Sequence, residues 1–184
     1  MTLCADLSLR KSQKRVEMIW QASRSLPELR VFAGLTGEYG GNYGPPEGLC
    51  FEGDNGCDDT VKWYNDPIKF GELVVAAEEM AAKTQGNNIM FTMGSDFKYE
   101  NAERWFSAMD ALIKLSKIDG RLNMFYSTPE MYADSKAAEV ASGNASFGLK
   151  LDDFFPYADG DHNYWTGFYT SRPAFKRFIR AQSA

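Results

Sequence analysis

The sequence predicts an α/β fold with a parallel sheet. Short apolar runs of strand length alternate with amphipathic stretches of helix length, the turns between them are brief, and several stretches open on a capping residue followed by proline. Residues 9–23 carry Leu9, Ser12, Val16, Ile19, Trp20 and Ser23 at helical spacing and predict an amphipathic helix. Between Gly34 and Pro67 there are eight glycines and three prolines without sustained periodicity, which predicts a long irregular loop of the kind that carries function. Asp66 and Pro67 then offer a cap and a first-turn proline, and Phe70, Leu73, Val74, Ala77, Met80 and Ala81 continue a helix to Lys83.

After turn residues 85–88, the apolar run 89–93 predicts a buried strand that stops at Gly94. Trp105, Phe106, Met109, Leu112, Ile113 and Ser116 predict a helix over 101–117, with Asn101 able to cap it. A second strand is expected at 122–126. Thr128 and Pro129 launch another helix to about Val140, and Ser171 with Pro173 start a last one that runs to the C-terminus. Residues 152–170 are crowded with aromatics and acids and have no period.

Composition narrows the function classes. The chain has 184 residues, 44% hydrophobic and 24% charged, so it is expected to fold as one domain or a piece of one. Its net charge of −5, with basic residues scattered, argues against nucleic acid as a partner. Neither an apolar run of about 18 residues nor the core of a signal peptide is visible, so no membrane span is expected. With His162 the single histidine, no HExxH helix or pair of His ligands can be assembled. Cys50 and Cys57 bracket six residues, which is unlike metal spacing. From spacing alone a local disulfide and reduced thiols stand even.

In parallel α/β sheets ligands meet the carboxyl ends of the strands. The run 89–93 delivers Asp96 to such an edge, where a carboxylate held in a partly dry setting can act as a general acid or base. By position alone, an Asp there more often caps a helix or sits in a turn, as do Glu100 and Asn101. In 152–170, Asp152, Asp153, Asp159 and Asp161 interleave with Phe154, Phe155, Tyr157, Tyr164, Trp165, Phe168 and Tyr169. Aromatic faces stack on a pyranose and carboxylates take its hydroxyls, although the same rings could simply pack the loop onto helices.

Two long stretches carry a resemblance. NNIMFTMGSDFKYENAERWFSAMDALIKL resembles the strand, catalytic loop and helix of the zinc-dependent class II α-mannosidases, glycoside hydrolase family 38. LDDFFPYADGDHNYWTGFYTSRPAFKRF resembles the same family's block near the end of its catalytic domain. NYGPPEGLCFE is similar to the loop with the family's active-site tyrosine, and RKSQKRVEMIWQAS to the helix before it. The resemblance runs from about Asp6 to Arg180; Met1 to Ala5 do not match.

The resemblance implies that residues 1–184 are part of a parallel-stranded (β/α) barrel catalytic domain, with further parts of that domain upstream and downstream. It implies a retaining α-mannosidase acting on terminal mannosyl residues of N-glycans or oligosaccharides. Asp96 then matches the general acid/base, and Tyr43 and Trp165 match residues lining the mannose subsite. Ser95 matches the lysosomal branch, whose location would be lysosome, vacuole or outside the cell. In that branch a local disulfide matches Cys50 with Cys57, and a sequon matches Asn144-Ala145-Ser146. The family's zinc is held by two His and two Asp, one of them the nucleophile, and none of these four falls in the matched stretches. The expectation is therefore zinc in the intact enzyme, none bound by this chain, and no turnover by the chain alone. A non-catalytic carbohydrate-binding remnant and a non-functional truncated product are the alternatives.

Overall fold

In a computed structural model the described residues are 9–34, 45–46, 67–94, 98–154, 156 and 161–183, the side chain of Lys69 excepted. They run β1 (Glu17–Trp20), β2 (Val31–Gly34), α1 (Pro67–Lys83), α2 (Ala102–Asp119), α3 (Pro129–Ala141), β3 (Leu149–Lys150) and α4 (Pro173–Ser183), preceded by one helical turn at 9–12. The architecture is mixed α/β.

The long helix expected at 9–23 is not formed. Lys14 takes a left-handed backbone, φ 53°. Around it Lys14 N donates to Lys11 O at 3.1 Å and Arg15 N to Arg10 O at 2.7 Å, the paired bonds that end a helix at a left-handed residue. Beyond that stop, Val16, Ile19 and Trp20 are β-branched or aromatic and favour extended chain. β1 pairs antiparallel with β2, Glu17 opposite Gly34 and Trp20 opposite Val31. On its other edge β1 pairs parallel with β3, Ile19 opposite Leu149 and Trp20 opposite Lys150. The sheet order is β2-β1-β3.

The two strands expected at 89–93 and 122–126 are a second correction. Both segments are free of helix and turn, yet neither joins a ladder among the described residues. Helix α2 holds them instead. Phe91 and Met93 from the first, and Leu122 and Met124 from the second, pack on the core that α1 and α2 share: Phe70, Leu73, Val74, Trp105, Ala108, Met109 and Leu112. Ser116, fully buried on α2, accepts from Met124 N at 3.4 Å, and Tyr126 donates to Asp110 at 2.8 Å. Apolar packing and side-chain bonds thus replace the pairing that periodicity predicts.

Helices α1 to α4 lie where caps and period place them. Thr128 accepts from Met131 N at 3.2 Å and Pro129 opens α3, as expected. Asn101 precedes α2 but makes no side-chain cap bond. Asp66 lies outside the described residues.

Candidate functional site

The chain on the N-terminal side of Asp96 is held at one end by Glu139, from helix α3, and at the other by Tyr99, six residues beyond Met93. At the start of the extended segment, Glu139 Oε1 accepts from Asn87 N at 2.6 Å, Asn88 N at 2.9 Å and Asn88 Nδ2 at 2.7 Å. At its end the Tyr99 hydroxyl donates to Met93 O at 2.5 Å. The Tyr99 ring stacks on Trp105, centroids 4.8 Å apart, and also meets Phe106. Tyr99 holds φ 66°, a left-handed backbone that a non-glycine residue adopts only when its surroundings enforce it.

Glu139 belongs to a buried ionic group. Lys136, one turn earlier on α3, donates to Gln85 O at 2.6 Å. Its Nζ lies 3.3 Å from Glu139 Oε2 and 3.4 Å from Glu17 Oε2 on β1. Tyr132 donates to Glu17 Oε1. Neither Oε2 has a hydrogen-bond partner, so two carboxylates share one ammonium. Burial pushes the Glu17 carboxyl above its ordinary 4.5, against the bond from Tyr132 and the charge of Lys136. Burial also acts on Glu139, but the N–H groups of Asn87 and Asn88 outweigh it and bring that carboxyl below 4.5. Gly86 leaves the room this arrangement needs, since a Cβ there would lie 2.0 Å from Glu139 Oε2.

The residues expected to act are only partly in view. Asp96, Tyr43, Cys50 and Cys57 lie outside the described residues. Trp165 is half-buried in the turn before α4, its ring 5.0 Å from that of Phe168, which meets Tyr169 at 5.0 Å in turn. Asn144 is exposed just past α3, its backbone N–H closing the helix end on Glu139 O at 2.8 Å. Asp152 is exposed and pairs with Lys150 at 2.7 Å. His162 sits in a turn at φ 60°. Among the described residues no three His, Cys, Asp or Glu side chains group to hold a metal, so these residues by themselves do not fit a zinc ion. No helix among them is long and apolar enough to cross a membrane.

Comparison with known proteins decides the family. The profile described as Glycosyl hydrolases family 38 N-terminal domain matches residues 5–160. The chain belongs to glycosyl hydrolase family 38. An alpha-mannosidase of Arabidopsis thaliana is 43% identical over 181 residues, covering 95% of this chain and 17% of the relative. The alpha-mannosidase of Canavalia ensiformis is 42% identical over 176 residues, 91% of this chain and 17% of its own length. The lysosomal alpha-mannosidase of Cavia porcellus is 40% identical over 188 residues, 95% and 18%. This family 38 chain therefore spans less than a fifth of the length of the curated relatives it matches. The matched region contains both the Gly94-Ser95-Asp96-Phe97 and the Asp152-Asp153-Phe154-Phe155 stretches.

Tyr99, Glu139, Lys136 and Glu17 are the residues that sequence reasoning misses. Glu17 and Lys136 meet across more than a hundred residues of chain, and no local pattern marks such a pair. Tyr99 does carry a signal: it lies three residues past the candidate acid and just before a helix, where a loop must be closed.

Proposed function

We propose that this chain is part of the (β/α) barrel catalytic domain of a retaining, zinc-dependent α-mannosidase that removes terminal α-mannosyl residues from N-glycans or oligosaccharides. The observation that carries the reading is the family 38 match over residues 5–160, together with about 40% identity to α-mannosidases along nearly the whole chain. Asp96 is the general acid/base: its carboxylic acid protonates the glycosidic oxygen as the bond to the anomeric carbon breaks, and its carboxylate then takes a proton from the water that releases mannose. Tyr43 and Trp165 line the mannose subsite, where an aromatic face covers the apolar face of the sugar.

The nucleophilic carboxylate and the zinc ligands come from other parts of the enzyme, and zinc there supplies a Lewis acid. This chain alone binds no zinc and turns over no substrate. The enzyme works in the lysosome or vacuole or outside the cell, with Asn144 glycosylated and Cys50 bonded to Cys57. The lysosomal relatives and the exposure of Asn144 support this placement.

A chimera tests the reading. Residues 5–160 replace the matching segment of the Canavalia enzyme, and hydrolysis of an aryl α-mannoside is measured. The chimera is expected to be active, and Asp96→Asn to lower kcat by about 10²- to 10⁴-fold. A folded chimera whose Asp96→Asn variant keeps full activity refutes the assignment.

A further inference from the structure

We propose that Lys176, in the first turn of α4, is a positioning residue that sets the ring of Trp165 through Phe168. The inference rests on the reading of Trp165 as a residue of the mannose subsite. Local backbone brings the three residues together. Phe168 N donates to Trp165 O at 3.2 Å and closes a tight turn. The next turn closes on Gly167 O, which accepts from Thr170 N at 3.2 Å, Ser171 N at 2.7 Å and the Ser171 hydroxyl at 2.5 Å. Pro173 then opens α4, and the bond from Lys176 N to Arg172 O at 3.1 Å fixes where the Lys176 side chain leaves the helix.

That side chain reaches back over the turn. Lys176 Nζ donates to Phe168 O and lies 5.4 Å from the centroid of the Phe168 ring, so one ammonium holds both the backbone and the side chain of that residue. The Phe168 ring meets Trp165 edge to face, centroids 5.0 Å apart and planes at 75°, an arrangement in which turning one ring displaces the other. Tyr169 packs on Phe168 at 5.0 Å and 81°. Apart from Trp165, every residue from 161 to 175 is exposed, so contacts within the turn count for more in orienting the indole than they would in a core. An aromatic face covers a pyranose only when its plane lies along the sugar's apolar face, which makes the angle of the indole a matter of mannose binding.

The experiment uses ¹⁹F NMR of the full chain labelled with fluorotryptophan, each of its four tryptophan signals being assigned by substitution. Lys176→Met keeps the bulk and helix propensity of the side chain and removes the ammonium. Lys176→Arg keeps a donor for the Phe168 carbonyl and a cation for its ring. In Lys176→Met the Trp165 signal is expected to shift while that of Trp105, buried in the core, stays, and Lys176→Arg should bring the Trp165 signal back. Phe168→Leu removes the ring in between, should move the same signal, and decides the matter if Lys176→Met does not fold. A Trp165 signal unmoved in either folded variant, a shift of Trp105 as well, or a shift that arginine does not reverse overturns the proposal. A chimera carrying residues 5–183 in the Canavalia enzyme gives the second readout: Lys176→Met should raise KM for an aryl α-mannoside about three- to tenfold, with kcat within about twofold. If Trp165→Leu raises KM there and Lys176→Met does not, the proposal fails. If Trp165→Leu itself leaves KM unchanged, the subsite reading is what fails, so the two failures are distinct.

Discussion

Lys136 on α3 and Glu17 on β1 meet inside the protein with Nζ and Oε2 3.4 Å apart, their side chains 1% and 5% exposed. With Glu139 on the other side of the same ammonium, one cation compensates two carboxylates. Such a group is held in place by the fold and in turn ties a strand, a helix and the turn at Gln85 together.

Removing the ammonium leaves both carboxylates buried and uncompensated. Lys136→Met is expected to destabilise the chain by about 3–5 kcal/mol, read as a lower urea midpoint with an unchanged slope. A loss below about 1 kcal/mol would mean that water reaches the group.

The two carboxylates give stability opposite dependences on pH. Glu17, raised in the fold, contributes stability that is complete below 4.5 and is lost as pH rises through its folded value. Glu139, lowered in the fold, contributes stability present above 4.5 and lost as pH falls through its folded value. Together they place the maximum near the ordinary carboxylate value, in mildly acidic solution. Thermal melts from about pH 3 to about pH 8 should show it, and Glu17→Gln should flatten the alkaline side. A wild-type profile whose alkaline side is unchanged by Glu17→Gln contradicts the Glu17 shift.

Gly86→Ala should be severe for two separate reasons. The position has φ 75°, which alone costs a residue with a Cβ about 1–2 kcal/mol, and the added methyl would collide with Glu139 Oε2. Calorimetry should show a clear drop in Tm, and the double variant Gly86→Ala with Glu139→Ala should recover part of it if the collision is real.

Helix α4 buries none of its residues, and Phe175, Phe178 and Ile179 form an apolar stripe 58%, 59% and 48% exposed. Leu9, Ile68, Ile118 and Tyr169 are also more than half exposed. The purified chain is expected to self-associate, and Phe175→Lys with Phe178→Lys to reduce this without lowering Tm. Sedimentation velocity checks it, and a monomeric wild-type chain would show that this surface tolerates water.

The sequence makes the helices legible where stop and start signals are local. Pro67, Thr128 with Pro129, and Pro173 mark helix starts within a residue or two of where they occur. Lys14 hides a helix stop because lysine, unlike glycine, does not announce a left-handed turn, so the period of 9–23 is read straight through it. Helix α3 inverts the usual pattern: Lys136 and Glu139 face inward while Met131 and Val140 lie 48% and 45% exposed, so hydropathy points to the wrong face. At the candidate site the family blocks offer Asp96 and Trp165 as candidates, of which Trp165 alone falls among the described residues. Glu17, Lys136 and Glu139 are not legible, because their chemistry exists only once distant segments meet.

The parallel pairing of β1 with β3 also sets an order of events at the ribosome. Ile19 and its partner Leu149 are separated by about 130 residues, which at about 5–20 residues per second is roughly 7 to 26 s of synthesis. β2 emerges almost at once and can close a hairpin with β1, but the opposite edge of β1 waits, and Glu17 waits with it for Lys136. During that interval the nascent chain presents an unpaired strand edge beside an uncompensated carboxylate.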